Sequence, residues 1–209
     1  MRIRRTYTVA LGVALAATSV VAPAALGSGH ETEAEEYCTK QGGQVVKLTP
    51  YLNPDSDDRV ELGGSMSVCQ FISQDGDNVD QIVVDLTTLH SKKPTLAGLA
   101  YLAQVPSSNS GAAGSNPASS YCPDDLGGTE AFGTMGAGAW VGELDPGMEA
   151  GDTEPLSDVI DLCVFADRSA IDDFGLFYAS DGTIRGVDLS SVMRYQADDS
   201  SPEVFGSGS

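Results

Sequence analysis

A motif of cysteine and glycine occurs twice in this chain of 209 residues, and it constrains the fold more than any other feature. In the first occurrence Tyr37-Cys38 and Gly42-Gly43 are separated by three residues. In the second occurrence Tyr121-Cys122 and Gly127-Gly128 are separated by four residues. Glycine readily adopts the left-handed backbone conformation that ends a helix. Each motif therefore predicts a short helix that carries a cysteine and then turns into a strand.

Further matching residues follow both motifs. Cys69-Gln70-Phe71 comes after the first motif, and Cys163-Val164-Phe165 comes after the second. We align Val79-Asp80 with Ile171-Asp172, each followed by an apolar run. Because five features occur in the same order, the sequence predicts one fold unit present in two copies. The second copy has the longer stretch between its cysteines, and its Gly, Asp and Pro content is typical of an expanded surface loop.

Disulfide bonds are the expected use of the cysteines. The chain has four of them, and an even number outside the cytoplasm usually indicates disulfides. Four cysteines allow three pairings, and spacing alone does not select one. A duplicated unit with two cysteines per copy favours Cys38–Cys69 and Cys122–Cys163, and each bond would contribute roughly 3–4 kcal/mol. Zinc sites use closely spaced pairs such as C-x₂₋₄-C, which this sequence lacks, so no metal or cofactor is predicted there.

The first 27 residues have the pattern of a secretory signal peptide. A basic start with Arg2, Arg4 and Arg5 precedes an apolar run over 9–21 and then small residues, which is the order of such a leader. The apolar run is shorter than the ~20 residues that span a bilayer, which disfavours the alternative of a membrane anchor. We expect cleavage after Gly27 or after Ala24, and a mature protein exported to the periplasm or the medium.

The charge of the chain excludes two classes of partner. There are 30 acidic and 11 basic residues, and three of the basic residues lie in the predicted leader. Binding to nucleic acid depends on Lys and Arg that neutralise phosphates, and an acidic surface is repelled by anionic lipid. We therefore expect no nucleic acid partner and no membrane insertion of the mature chain. The partner would be a protein or a small ligand.

Three helices are predicted from capping signals and apolar periodicity. Thr32 and Glu35 form a capping box before Cys38, and Gly42 would end that helix. Residues 92–105 present an apolar face and predict a buried helix. A third helix would begin with Asn116 as its cap, and we expect Pro123 to kink it or cut it short after Cys122.

The predicted architecture is α+β. Each copy would be a small unit in which a short helix is disulfide-bridged to a strand of a small antiparallel sheet. The expected organisation is a signal peptide at 1–27, a first unit at 31–105, a Ser/Gly-rich linker at 106–116, a second unit at 117–200 and a flexible tail at 201–209. Strands are predicted at 44–48, 67–72, 81–87, 158–166 and 174–180, with a further strand near 183–187.

The second motif resembles a family of small exported bacterial proteins known as domain of unknown function 333 and labelled putative haemolysin. The likeness lies in Asn-Pro-Ala-Ser, Tyr-Cys, Gly-Gly and a later Cys. It covers Asn116, Pro117, Ala118, Ser119, Tyr121, Cys122, Gly127, Gly128 and Cys163, and in the first copy Tyr37, Cys38, Gly42, Gly43 and Cys69. The family usually has Asp-Gly after its second Cys, where this chain has Ala166-Asp167. The resemblance implies an exported, envelope-associated protein and brings no catalytic residues. A lytic activity is not expected, because the chain has no long amphipathic stretch with a basic face.

The sequence offers few candidate catalytic or binding residues. Of two histidines, only His90 could serve a Ser-His-Asp triad, and no G-x-S-x-G motif accompanies it. Trp140 is the single tryptophan and is interpreted as an anchor of the inserted loop, with an exposed recognition residue as the alternative. Paired acids occur at Asp55/Asp57/Asp58, Asp75/Asp77/Asp80, Asp124/Asp125 and Asp172/Asp173. In so acidic a chain such pairs arise by chance.

The segment with Asp75, Asp77 and Asp80 has two interpretations. Alternating Asp near a Gly resembles a calcium loop, but the Glu required at its twelfth position is absent because Leu86 stands there. Weak calcium binding is one interpretation, and an Asp-Gly hairpin turn is the favoured one.

The sequence favours a non-enzymatic binding module, either secreted or associated with the envelope, with no catalytic residues. A secreted hydrolase that uses carboxylates or His90 is the alternative. A module resembling a protease inhibitor, with a rigid loop at 134–157, is a further one.

Overall fold

The computed structural model describes residues 28–52, 60–75, 78–108, 116–130, 139–142, 159–198 and 202–205. Over these residues the chain is α+β, as predicted, with short helices and one antiparallel sheet. The predicted leader at 1–27 and most of the predicted linker and inserted loop lie outside the described residues.

Helices and strands are interleaved along the described residues. The helices are α1 (Ser28–Lys40), α2 (Leu86–His90), α3 (Leu96–Ala103), α4 (Pro117–Asp124), α5 (Asp173–Ala179) and α6 (Leu189–Val192). The strands are β1 (Gln44–Leu52), β2 (Val60–Glu61), β3 (Met66–Asp75), β4 (Asn78–Asp85), β5 (Thr129–Glu130), β6 (Ala139–Gly142), β7 (Val159–Ile160), β8 (Leu162–Val164) and β9 (Ala170–Asp172).

The strands of the two predicted units join into one sheet. Its order is β5-β8-β9-β4-β3-β1-β6-β7, with β2 paired to β1. The junction is the antiparallel pair of β4 and β9, in which Val84 lies opposite Ile171. Strand β7 lies at one end of this strand order, and β8 is the second strand from the other end. Only Asp161 separates these two strands in the sequence. The sheet therefore curls, and β7 comes back to within one residue of β8.

Curling gives the sheet two apolar faces. The concave face encloses a small core of seven buried residues: Val46, Leu48, Val68, Val83, Ile160, Leu162 and Ala170. The neighbouring residues along each strand point the other way, because side chains alternate across a sheet. They include Cys69, Val84, Cys163 and Ile171, and the helices, which carry Cys38 and Cys122, cover them to form the larger core. Alternating apolar residues in β3, β4 and β8 thus serve two cores at once.

Several predicted elements differ in the structure. Residues 174–180, predicted as a strand, form helix α5 instead, because the Asp172 side chain caps the Gly175 N–H and Leu176 and Ala179 share a buried face. That apolar run is too short for its periodicity to decide between helix and strand. Helix α2 was not predicted, and it begins at a similar aspartate cap, Asp85.

Smaller differences concern the ends of elements. No described strand covers 183–187, where Gly186 has a φ of +62° and its Cα lies against the Phe71 carbonyl and the Ile82 backbone. The strand predicted at 158–166 is divided by Asp161 into β7 and β8. The helix predicted at 92–105 is confirmed only as α3 at Leu96–Ala103. Helix α4 includes Pro123 and ends one residue after it.

Candidate functional site

Both favoured disulfides are present. Cys38 of α1 is bonded to Cys69 of β3, and Cys122 of α4 is bonded to Cys163 of β8. All four cysteines are fully buried, and no described cysteine is free. Each bond joins a helix to a strand, as the sequence predicts.

The two glycines of each motif have different tasks. Gly42 and Gly127 have φ angles of +86° and +65° and end their helices. Gly43 and Gly128 instead let the backbone pass against the disulfide. A Cβ on Gly128 would lie 2.5 Å from Cys163 Sγ and 2.9 Å from Cys122 Sγ. A Cβ on Gly43 would lie 3.0 Å from Cys38 Sγ and closer still to Cys69 Sγ.

The tyrosine of each motif is also used in the same way. The Tyr37 hydroxyl donates a hydrogen bond of 2.9 Å to the Val192 carbonyl, and the Tyr121 hydroxyl donates one of 2.5 Å to the Val105 carbonyl. Both rings therefore fasten a disulfide-bearing helix to a distant segment of backbone.

Strand register fixes the correspondence between the two units. In the first unit Val45 is opposite Cys69, and Cys69 is opposite Val84. In the second unit Glu130 is opposite Cys163, and Cys163 is opposite Ile171. The counterpart of Ile171-Asp172 is therefore Val84-Asp85, and the sequence alignment with Val79-Asp80 was wrong. The true match was missed because the first hairpin is longer and contains two β-branched-Asp pairs.

Asp85 and Asp172 bind across the junction in a reciprocal manner. Asp85 caps α2 by accepting from the Thr88 N–H at 3.0 Å, and its second oxygen accepts from the Ala170 N–H at 2.8 Å. Asp172 caps α5 by accepting from the Gly175 N–H at 2.6 Å, and its second oxygen accepts from the Val83 N–H at 2.6 Å. Each carboxylate thus begins its own helix and ties down a strand of the other unit.

Burial dominates the electrostatics of this pair. Desolvation raises the pKa of Asp172 to about 6, although the Val83 and Gly175 N–H groups and the nearby Arg185 lower it. Desolvation likewise raises the pKa of Asp85 above its ordinary value, against several hydrogen bonds that lower it. Both carboxylates are committed to backbone donors and have a structural role.

A second group of acids lies on the helix-covered face of the second unit. We call Glu130, Asp161 and Asp173 the carboxylate cluster. Glu130 ends β5, Asp161 lies between β7 and β8, and Asp173 is the first residue of α5. One carboxylate oxygen from each residue lies within 4.8 Å of the others. The Asp173 N–H donates to the Asp161 carbonyl at 3.1 Å, which holds these two residues side by side.

Four oxygens of the carboxylate cluster are buried and accept no hydrogen bond. Asp173 is fully buried, and neither of its carboxylate oxygens accepts a hydrogen bond. Glu130 Oε1 and Asp161 Oδ1 are buried and unpartnered as well. Uncompensated charge in such a place is costly, since burial removes solvation without a replacement partner.

The pKa values of the cluster reflect that cost. Desolvation, and after it the charges of Asp161 and Asp172, raise the pKa of Asp173 to about 8, while the nearby Phe174 N–H lowers it and Glu130 adds a further small increase. Desolvation and then Glu130 raise the pKa of Asp161 to about 6. The charged groups that act on Asp173 are all carboxylates.

The corresponding positions of the first unit are not acidic. By the strand register and the two aspartate caps, Glu130, Asp161 and Asp173 correspond to Val45, Ser67 and Leu86. Leu86 is a buried core residue, and Val45 packs against the same core. The second unit therefore has Glu130 and Asp173 where the first unit has two apolar side chains, and Asp161 where the first unit has Ser67.

The residues singled out in the sequence have structural surroundings. His90 packs against the Tyr37 ring with centroids 5.4 Å apart, and its Nε2 contacts the Arg194 guanidinium. Trp140 lies in β6 opposite Pro50 and Ile160, and it packs against the concave core. It is therefore partly buried, and its role as an anchor of the inserted loop stays a prediction, because most of the loop at 134–157 lies outside the described residues.

The hairpin interpretation of the Asp-Gly segment is confirmed. Asp75 pairs with Asn78 across β3 and β4, which leaves a two-residue connection. Asp80 forms an ion pair with Arg185 Nε at 3.4 Å. The side chains of Asp75 and Asp77, and the acids at 55–58, lie outside the described residues.

Sequence reasoning did not identify the carboxylate cluster. Of its three members only Asp173 was noted, as half of the pair with Asp172. Glu130 and Asp161 come from other segments and are isolated acids in the sequence. A usable signal would have been the substitution of Val45 and Leu86 by acids in the second copy, but this signal appears only with the correct alignment.

Comparison with known proteins does not assign this chain to a family. The chain matches no protein-family model, no curated protein and no solved structure. The resemblance to domain of unknown function 333 therefore stays a prediction. Among the described residues, no helix has the length and apolar character needed to cross a lipid bilayer.

Proposed function

We propose that this chain is an exported, non-enzymatic binding module, released or held at the cell envelope after removal of residues 1–27. The observation that carries the proposal is the pair of fully buried disulfides, each joining a helix to a strand. Structural disulfides persist in oxidising compartments and are rare in the cytosol. The leader pattern at the N-terminus provides the route to such a compartment.

We also propose that the module arose by duplication of one unit. Three matches of geometry support this beyond the sequence motif: a glycine pressed against each disulfide, a tyrosine hydroxyl bonded to a distant carbonyl, and an aspartate that caps a helix and binds across the junction. Unrelated helix–strand units would have no reason to share all three.

The residues behind the family resemblance act as framework. Asn116 caps α4 by accepting from the Ala118 N–H at 3.1 Å, Pro117 occupies the first turn, and Ala118 is fully buried. Tyr121 and Cys122 fasten the same helix. Because the residues of this motif hold the fold together, the motif supports a scaffold that binds a partner through its surface. The acidic composition favours a cationic ligand or a basic protein as that partner.

Expression with the native leader in an exporting host tests the proposal. We expect the secreted protein to begin at Ser28 or Ala25 and to contain no free thiol, as measured by intact mass before and after alkylation. Retention of the leader in a cytoplasmic, fully reduced product would contradict export. A hydrolytic activity of the purified protein that disappears in His90→Ala, with folding unchanged, would contradict a non-enzymatic role.

A further inference from the structure

The carboxylate cluster has the composition of a site for a hard cation. All three side chains offer oxygen only, and hard divalent cations prefer carboxylate, carbonyl and water oxygens. Zinc and copper sites generally draw on imidazole or thiolate. The described cysteines form two disulfides, and His90, a residue of the first unit, contacts Tyr37 and Arg194 instead.

The spacing of the oxygens suits calcium. Calcium–oxygen distances are about 2.3–2.6 Å, so two ligands on opposite sides of the ion lie about 5 Å apart. The three oxygens of the cluster lie within 4.8 Å of one another, close enough to bind one calcium ion together. Magnesium keeps several waters and is rarely held by a set of protein carboxylates alone.

Asp173 supplies the independent indication that something binds there. It is fully buried, neither of its oxygens accepts a hydrogen bond, and one of them lies within 4.8 Å of the Glu130 and Asp161 oxygens. Asp85 and Asp172 show how this fold treats a buried carboxylate that has a structural task, since each accepts backbone N–H groups with both oxygens. Asp173 lacks such partners, although the fold could have used an apolar residue at this position, as it does with Leu86.

We propose that Glu130, Asp161 and Asp173 form a calcium site in the second unit, with no counterpart in the first. The ion would tie the end of β5, the link between β7 and β8 and the start of α5 to one another. Water completes its coordination on the open side, where Glu130 and Asp161 are half-buried. The proposal does not depend on export, because it rests on the geometry of the folded chain.

Thermal unfolding of the oxidised mature chain with calcium chloride tests this site. Calcium at 100 times its Kd should raise Tm by roughly 5–10 °C, because the ion binds only the folded state. The baseline is a buffer with EDTA and sodium chloride at matched ionic strength, since a chain this acidic responds to any screening of charge. Magnesium chloride at the same concentration serves as a second baseline.

Variants locate the ion. Asp173→Asn and Glu130→Gln should abolish the calcium-specific part of the shift, while Asp80→Asn on the β3–β4 hairpin should retain all of it. An equal shift in every variant would mean diffuse counter-ions and would overturn the proposal. Loss in Asp80→Asn alone would place the ion at the hairpin and would also overturn it, as would the absence of any shift in the wild type.

A double variant distinguishes loss of the calcium site from misfolding of the chain. Glu130→Val with Asp173→Leu installs the residues of the first unit, so it should fold with both disulfides and have a higher Tm in EDTA than the wild type. It should give no calcium-specific shift. If instead it shifts as the wild type does, the carboxylate cluster is not the site.

Discussion

The glycine beside each disulfide gives the sharpest prediction about the framework. In Gly128→Ala the new methyl carbon would lie 2.5 Å from Cys163 Sγ and 2.9 Å from Cys122 Sγ. Non-bonded heavy atoms prefer separations near ~3.5 Å or more, so the backbone or the disulfide must move by about 1 Å. Overpacking of this kind typically costs ~1–3 kcal/mol. For a domain of this size that lowers Tm by roughly 2–12 °C.

The assay is thermal unfolding monitored by circular dichroism, with Gly63→Ala as the control. Gly63 has open space around its Cα and no positive φ, so its substitution should be nearly neutral. The cause is isolated by repeating Gly128→Ala in a chain that also carries Cys122→Ala and Cys163→Ala. Without the two sulfurs the methyl has room, so most of the added cost should disappear.

Two results would refute this reasoning. If Gly128→Ala were as stable as Gly63→Ala, the close approach of backbone and disulfide would be wrong. If its cost were the same with and without the sulfurs, the loss would come from the backbone conformation of glycine and not from contact with the bond. Gly43→Ala should behave like Gly128→Ala, because its Cβ would meet the first disulfide and the Phe71 ring.

The remaining predictions concern buried carboxylates. Asp85→Asn should lower the free energy of unfolding, measured in urea, by about 1–3 kcal/mol, because one amide oxygen cannot accept from both the Thr88 and Ala170 N–H groups and a buried donor is left unpaired. The control, Asp181→Asn, replaces an exposed acceptor of a single bond and should lower it far less. Equal losses in the two variants would contradict the reciprocal arrangement. In EDTA, Tm should fall as pH rises from 4 to 8, because the raised pKa values of the carboxylate cluster favour the protonated folded state at low pH. Asp173→Asn should reduce that slope without abolishing it, because the raised pKa values of Asp161 and Asp172 also contribute; a slope unchanged in this variant would contradict the assignment.

The covalent framework was predictable because its signals are local. Gly42 and Gly127 end helices through their own backbone conformation, and Asn116 caps α4 by accepting from the N–H of Ala118, two residues away. The pairing of the cysteines followed from the repeated motif. These features need no knowledge of the rest of the fold.

The joining of the units was not predictable in the same way. The pairing of Val84 with Ile171 joins two strands from distant parts of the chain, and no local sequence signal near either strand indicates that they pair. The helix at Asp173–Ala179 was mistaken for a strand for a different reason: its apolar run is too short for its periodicity to decide between helix and strand.

The carboxylate cluster escaped prediction for a related reason. Glu130, Asp161 and Asp173 become neighbours only when β5, β8 and α5 assemble, and isolated acids are unremarkable in a chain with 30 of them. What distinguishes them is burial without a donor, which is a property of the fold.

Mapping the disulfides of the secreted protein tests the central claim most directly. The protein would be digested without reduction and its linked peptides identified by mass spectrometry. The account predicts peptides that join Cys38 to Cys69 and Cys122 to Cys163. A bond from Cys38 to Cys122 or Cys163, or four free thiols in the exported product, would contradict it.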